Sequence, residues 1–319
     1  MQRITIEAPK TICIYDPSST RNTYKLFDRI MKVSDMGRIP VTLDLSNVTT
    51  ITAAASVLLF AVVNTCQLLS GNQNAVRCNF PRSKDNEEGH KFIVRTGLGR
   101  ALHSGTLERI KDLTESSIYF QSATSMEDIL LPTLELLSRE TKLDSEQLDL
   151  LIAGVVEAML NVGHHAYKDP SYPPESKVLH PSKVVFVDKV GERWWQCAWY
   201  DTSSHAWIFI ICDLGLGIPL TYNCLIKNKL YDEAPSSAVK DAFLLGNSRF
   251  VGHGRGNGSD DMKRPVECGA QESLYVFSGK VKYEYHTGMV EPKVVEFDSG
   301  FNGTLVQWTL YANQERVSI

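Results

Sequence analysis

The sequence predicts an α/β chain of the α+β kind, arranged as two units, and three observations carry that reading. Short apolar runs alternate with helix-length amphipathic stretches over residues 1–107. A polar, Ser/Thr-rich stretch over residues 108–128 then breaks the pattern. Beyond it come two helical stretches and several strand-like runs. The units are drawn as residues 1–122 and 123–319, in keeping with usual domain sizes for a 319-residue chain.

In the first unit Ile4-Thr-Ile alternates like a strand, and Pro9–Tyr15 is a second candidate. Asp16-Pro-Ser-Ser is a helix-start signal, with Tyr24, Phe27, Ile30 and Met31 at helical spacing behind it. Pro40–Leu45 reads as a buried strand, Ser46–Ile51 as a loop and Ala53–Leu69 as a strongly apolar helix. Ala75–Phe80 reads as a strand and Gly97–Leu107 as a short helix. Strands alternating with helices imply a partly parallel sheet. Ile118–Phe120 offers a closing strand inside the boundary stretch.

The second unit opens with an amphipathic helix, Met126–Lys142, with Ile129, Leu130, Leu134 and Leu137 inward. Asp144 or Ser145 caps a second helix that runs toward Tyr167. Its apolar stripe is Leu148, Ile152, Val155, Val156, Met159 and Leu160. A loop from Lys168 follows, then strands at Lys183–Val187, Trp194–Tyr200 and Trp207–Cys212, with the tryptophans as packing residues. Helical content is expected at Ala238–Leu245 and in a helix capped by Ser259. Strands Ser273–Ser278 and Lys280–Tyr285 and a run from Phe301 to Leu310 complete the chain.

Four stretches carry candidate chemistry. Glu157 and Asn161 lie one turn apart on one helical face, a carboxylate beside a carboxamide, though Glu-x-x-x-Asn also occurs by accident on the wet side of helices. Asp213 ends a strand and is followed by Gly215 and Gly217; it is either an acceptor for an exocyclic amine or a turn residue. Gly252-His-Gly254-Arg255-Gly256-Asn257-Gly258 leads into a helix start, so its backbone N–H groups and Arg255 suit an anion, a flexible linker being the alternative. The glycine spacing is neither the dinucleotide fingerprint nor a Walker loop. Gly303-Thr304 stands at a strand start. His164 and His165 are adjacent and point apart, so a shared metal site is not expected, and His165 reads as structural.

Composition narrows the classes. Hydrophobic residues at 43% against 22% charged allow real cores. A net charge of −4, from 33 basic and 37 acidic residues, leaves no basic footprint for nucleic acid or an anionic membrane. Seven dispersed cysteines without a Cys-x-x-Cys pair read as reduced thiols. The N-terminus lacks the apolar run of a signal peptide, and Ile51–Val63 falls short of the roughly 20 residues that span a bilayer. A soluble, cytoplasmic protein is expected.

The strand–loop–helix Val41-Thr-Leu-Asp-Leu-Ser-Asn-Val-Thr-Thr-Ile51 resembles the STAS fold of anti-sigma-factor antagonists. In that family the loop carries a phosphorylated serine; here the matching position is Ala53, with Thr52 and Ser56 as the nearby hydroxyls. The unit therefore reads as an interaction or dimerisation module, a homodimer being one outcome.

Glu157-x-x-x-Asn161 with His165-Ala-Tyr167, Asp213-x-Gly-x-Gly217, Gly254–Gly258 and Gly303-Thr304 occur in that order. Together they resemble the Bergerat nucleotide-binding fold of the GHKL superfamily, closest to its anti-sigma-factor serine kinases. The resemblance implies an α/β sandwich with a mixed sheet. It implies ATP and Mg2+ as cofactors, Asn161 as the magnesium ligand and Glu157 as general base. It also implies Asp213 on the adenine amine, Gly215 and Gly217 shaping the pocket, Thr304 supporting it, and Gly254, Arg255, Gly256, Asn257 and Gly258 around the phosphates. The long loop after Lys168 and the helical content between the glycine motifs suggest decoration for a protein partner. The function implied is an ATPase or a protein Ser/Thr kinase in bacterial signalling. The alternative is a catalytically silent, nucleotide-gated interaction module. A DNA-acting ATPase is disfavoured, since no transducer domain or basic patch is evident.

Overall fold

The computed structural model describes residues 3–36, 39–116, 119–138, 143–173, 176–201, 204–225, 234–244 and 258–311. It is a mixed α/β structure in which parallel pairing is confined to the first unit. There β1 (Ile4–Glu7), β3 (Val41–Asp44) and β5 (Val76–Asn79) form a parallel sheet in the order β1-β3-β5. Two short strands, β2 (Thr11–Ile12) and β4 (Thr50–Ile51), pair in parallel beside it. The expected loop at Ser46–Ile51 thus holds a strand at its end.

Local signals account for the helices. Asp16 caps α1 (Pro17–Met31): its carboxylate accepts the Ser18 N–H at 3.2 Å. Gly71, at φ 61°, ends α2 (Ala53–Ser70) in the left-handed conformation that glycine takes without strain. The α2 helix is long and apolar enough to cross a membrane, but 83% of its apolar window is buried inside the protein, so it serves as a core helix. The expected helix at Gly97–Leu107 is divided: after α3 (Glu87–His90), α4 (Leu98–Leu102) ends before α5 (Leu107–Ser116) begins.

The boundary stretch is no bare linker. It contains most of α5 and then β6 (Phe120–Ala123), the edge strand of a five-stranded sheet. That sheet runs β6-β7-β8-β10-β9, with β7 (Trp194–Asp201), β8 (Ala206–Asp213), β9 (Ser273–His286) and β10 (Lys293–Tyr311). The sheet expected to be mixed is antiparallel at every pairing among the described residues. The two expected strands at Ser273–Ser278 and Lys280–Tyr285 are one strand, β9, passing through Gly279 at φ 60°. Gly303-Thr304 is not at a strand start either. It lies inside β10, where the register against β9 shifts between Phe301 and Thr304.

Both faces of this sheet are buried, by different parts of the chain. Successive residues of a strand point to opposite faces. Trp195, Cys197, Ile210, Cys212, Phe277 and Leu305 face the first unit, in one cluster with Phe60 and the rest of α2. Trp194, Phe209, Ile211, Val276, Val306 and Trp308 face the helices of the second unit. Those helices are α6 (Met126–Ser138), α7 (Ser145–Asn161) and α11 (Gly258–Glu267), with α8 (Val184–Val190), α9 (Ile218–Leu225) and α10 (Pro235–Ala242) around them. The α10 helix begins three residues before the expected Ala238.

Four readings change on this side. Residues Lys183–Val187 are helical, not a strand. Pro181 opens a single 3-10 turn capped by the His180 ring, α8 follows, and Gly191 at φ 82° ends it. The run Val-Val-Phe-Val fits either period; here only its Phe186–Val187 side packs, leaving Val185 70% exposed. Ser259 is not a cap, because α11 starts one residue earlier, at Gly258. In α7 the capping aspartate is Asp144, whose carboxylate accepts the Gln147 N–H at 2.9 Å. The fully buried stripe of α7 is Gln147, Leu151, Gly154, Val155, Ala158 and Met159; Leu148, Ile152, Val156 and Leu160 flank it half-buried. In α6 the inward residues are Ile129, Thr133, Leu136 and Leu137 rather than Leu130 and Leu134.

A polar bond locks the first unit to the sheet. The Trp195 indole N–H donates to Asn64 Oδ1 at 2.9 Å, and Asn64 Nδ2 donates to the Ser104 carbonyl at 2.7 Å, all of it buried. Asn64→Ala leaves a buried N–H and a buried carbonyl unpaired, a loss of about 2–4 kcal/mol. Urea unfolding followed by tryptophan fluorescence is expected to give one transition, moved to lower denaturant in the variant. Two separate transitions would mean that the units fold independently.

Candidate functional site

The second unit's face of the sheet is largely apolar, with polar residues at Gln121 and Gln196 and at the end of strand β8. There the register sets Asp213 of β8 opposite Thr304 of β10, and Thr304 opposite Ser278 of β9. A carboxylate and two hydroxyls therefore stand in a row across three adjacent strands, on the same face as α7. The Ser278 hydroxyl donates to the Gly303 carbonyl at 2.9 Å, lies 3.1 Å from the Thr304 hydroxyl and accepts the Ile218 N–H at 2.8 Å. Nothing in the local sequence marks Ser278; only the strand register brings it in.

Asp213 is 6% exposed. Its Oδ1 accepts the Gly215 N–H at 2.8 Å, an Asx-type turn at the strand end. Burial pushes its carboxyl up to about 6, against the opposing pull of the Gly215 and Thr304 N–H groups and the Lys183 ammonium. The turn expected at Asp213 is present. One oxygen makes the turn, and the carboxylate as a whole remains a strong buried acceptor.

The glycines are needed, but by the protein's own backbone. A Cβ on Gly215 would stand 2.2 Å from the Ala166 carbonyl oxygen, and one on Gly303 2.1 Å from that of Asp213. Gly217, at φ 82°, is pressed against Gly303 and Ser278. What approaches the loop after Asp213 is the end of α7. Past Asn161 that helix widens into a π-helical turn, Val162–Ala166, and the Leu216 N–H donates to the Ala166 carbonyl at 2.7 Å.

Through this contact the C-terminal part of α7, with half-buried Glu157 and Asn161, is fixed relative to the polar row. Tyr167 follows, fully buried, its hydroxyl donating to the Arg193 carbonyl. The rings of His164 and His165, expected to point apart, instead pack edge to face, with centroids 6.1 Å apart. Among the described residues no group of three or more His, Cys, Asp or Glu side chains is placed to hold a metal.

The glycine-rich loop Gly254-Arg255-Gly256-Asn257 lies outside the described residues, and Gly258 is the first residue of α11. That helix packs on α7: a Cβ on Gly154 would lie 3.1 Å from the Asp261 carbonyl oxygen. The first turn of α11 carries Asp260 and Asp261, paired with Lys263 at 3.2 Å and Arg264 at 3.1 Å. Those carboxylates oppose an anion at this helix start.

No sequence pattern marks Lys183. With its segment helical, its ammonium donates to the Leu214 carbonyl at 2.7 Å and lies 5.3 Å from the Phe186 ring centre. Phe186 in turn stacks on Tyr167 at 5.4 Å and 19°. The apolar run read as a strand hid it.

Scanned against models of known families, the chain matches none, and a search of curated proteins finds no match either.

Asp213 links stability to pH. The native state keeps its proton up to about pH 6, whereas an unfolded aspartate releases it near 3.8. Between those values folding takes up a proton, so stability falls as pH rises, by about 3 kcal/mol in all. Urea midpoints are expected to drop from pH 4 to pH 6.5 in the native protein and to drop less in Asp213→Asn. An equal drop in both would place the buried titration elsewhere.

Proposed function

We propose that this chain is a magnesium-dependent ATP-binding protein of the GHKL type, carrying a STAS-like first unit, that hydrolyses ATP or passes its γ-phosphate to a protein hydroxyl in a regulatory role. The observation that carries the reading is the row Asp213–Thr304–Ser278 on the α7 side of the sheet. A buried carboxylate at the end of a largely apolar face suits a flat, apolar ring with one exocyclic amine, which is the adenine edge. Hydroxyls beside it can bond the same base directly or through water.

Residues fit for the remaining groups lie on α7. Asn161 offers a carboxamide oxygen, a hard donor for magnesium, which takes its other ligands from phosphate and water. Magnesium, when bound, neutralises the charge of the phosphate chain. Glu157, one turn earlier, is the general base: its carboxylate takes the proton of an attacking water or hydroxyl. A site that only bound nucleotide would need no carboxylate there.

A second reading is a nucleotide-gated interaction protein, and it too rests on specific contacts. The first unit covers the far face of the same sheet, and Tyr15 reaches through to it, its hydroxyl donating to Gln307 of β10. Ala53 has no hydroxyl to phosphorylate, while Ser56 is 5% exposed and donates to the Thr52 carbonyl at 3.0 Å. The first unit is thus built to follow the sheet rather than to be switched at that position.

Calorimetry with MgATP and phosphate release on the same sample separate these outcomes. Binding is expected in the native protein. Asp213→Ala is expected to weaken it about tenfold or more. Affinity is also expected to fall as pH drops through about 6, where Asp213 gains its proton. Glu157→Gln should keep binding and lose phosphate release by roughly a hundredfold or more. Binding without turnover, with a partner protein present, would favour the gated module; no binding by the native protein would end the nucleotide reading.

A further inference from the structure

We propose that Lys183 is a specificity residue of the base site, selecting a 6-amino purine over a 6-oxo purine; this rests on the nucleotide reading above. Its place is set by two contacts. The Leu214 carbonyl, next in chain to Asp213, accepts one ammonium N–H at 2.7 Å. The Phe186 ring lies 5.3 Å away, and the stack of Phe186 on Tyr167 holds that ring. Tyr167 is itself pinned by its bond to the Arg193 carbonyl. An ammonium has three N–H donors, and among the described residues Lys183 makes no other hydrogen bond or ion pair, so two donors remain for a ligand.

A donor beside an acceptor reads a base edge by its order. Adenine presents an amine hydrogen next to a ring nitrogen that accepts, which matches Asp213 accepting and Lys183 donating. Hypoxanthine and guanine present a carbonyl oxygen where the amine stood and an N–H where the acceptor stood. Against the same pair, oxygen meets carboxylate and N–H meets ammonium, so both contacts become repulsive. The α8 segment fits this role: the turn at Pro181 and the cap at His180 fix where Lys183 leaves the backbone.

Lys183 also supports the ionised form of Asp213. Its field lowers the carboxyl's proton affinity, and Asp213 in turn works against the burial that depresses the ammonium's own. The other titratable neighbours coupled to Asp213 are Tyr167, from the end of the α7 turn, and Cys212 on its own strand, both held neutral by burial.

The test compares ATP with inosine triphosphate, by calorimetry with magnesium, across pH 5 to 8. Native protein is expected to prefer ATP by about a hundredfold. Lys183→Met should lose about tenfold in ATP affinity and little for inosine triphosphate. Its ATP affinity should also begin to fall at a higher pH than in the native protein, since Asp213 has lost its cation. Lys183→Arg should restore both features. Equal losses for both nucleotides, or an unmoved pH dependence, would reduce Lys183 to a structural brace and overturn the inference while leaving ATP binding intact. Failure of the native protein to bind ATP would remove the nucleotide reading itself, and the inference with it.

Discussion

A single antiparallel sheet buried on both faces sets the terms for the rest of this protein. Each strand is mainly apolar through its middle, because neither side meets water. Trp194 and Trp195, neighbours on β7, are both buried to within 2% of complete and point into different clusters. Such a sheet admits polar side chains only where they bond one another. The Gln121–Gln196–Thr133 set is one such place, with Gln196 Nε2 donating to Gln121 Oε1 at 2.9 Å and to Thr133 Oγ1 at 2.7 Å. The Asp213–Thr304–Ser278 row is another, and it carries a carboxylate.

The same constraint ties the two units together. The first unit contributes α1 and α2 to one side of the sheet, and its own parallel sheet lies beyond them. Asn64 and Tyr15 extend polar bonds from it into β7 and β10. Gln307, which Tyr15 bonds, is three residues along β10 from Thr304 and faces the opposite side. A change in β10 at the polar row would reach the first unit through one strand, without a moving linker.

Much of this was legible in the sequence where one signal dominated. Asp16 and Asp144 announced helix starts, and the apolar stretch from Ala53 announced a helix, which its burial in the structure makes a core helix. Strands β7 and β8 were marked by their length, aromatic content and the terminal Asp213. Errors fell where two periods fit the same run. Val184–Val187 satisfies a strand pattern, and only the Pro181 turn and the packing of Phe186 on Tyr167 make it helical. Gly303 read as a strand start because glycine usually punctuates; here it sits inside a long strand, where the Asp213 carbonyl leaves no room for a side chain. Ser278 and Lys183 had no local signature, since their part in the site comes from register and from a helix that the pattern did not suggest. The α7 pair Glu157–Asn161 was visible as spacing, but its relation to Asp213 needed the contact between Leu216 and Ala166.

The most direct test of a nucleotide site at the polar row is a crystal structure with magnesium and a non-hydrolysable ATP analogue. The account predicts the exocyclic amine of the base in hydrogen-bond contact with the Asp213 carboxylate, and Asn161 on the metal. Nucleotide bound away from Asp213, or a row of Asp213, Thr304 and Ser278 closed over by protein with no ligand against it, would contradict it.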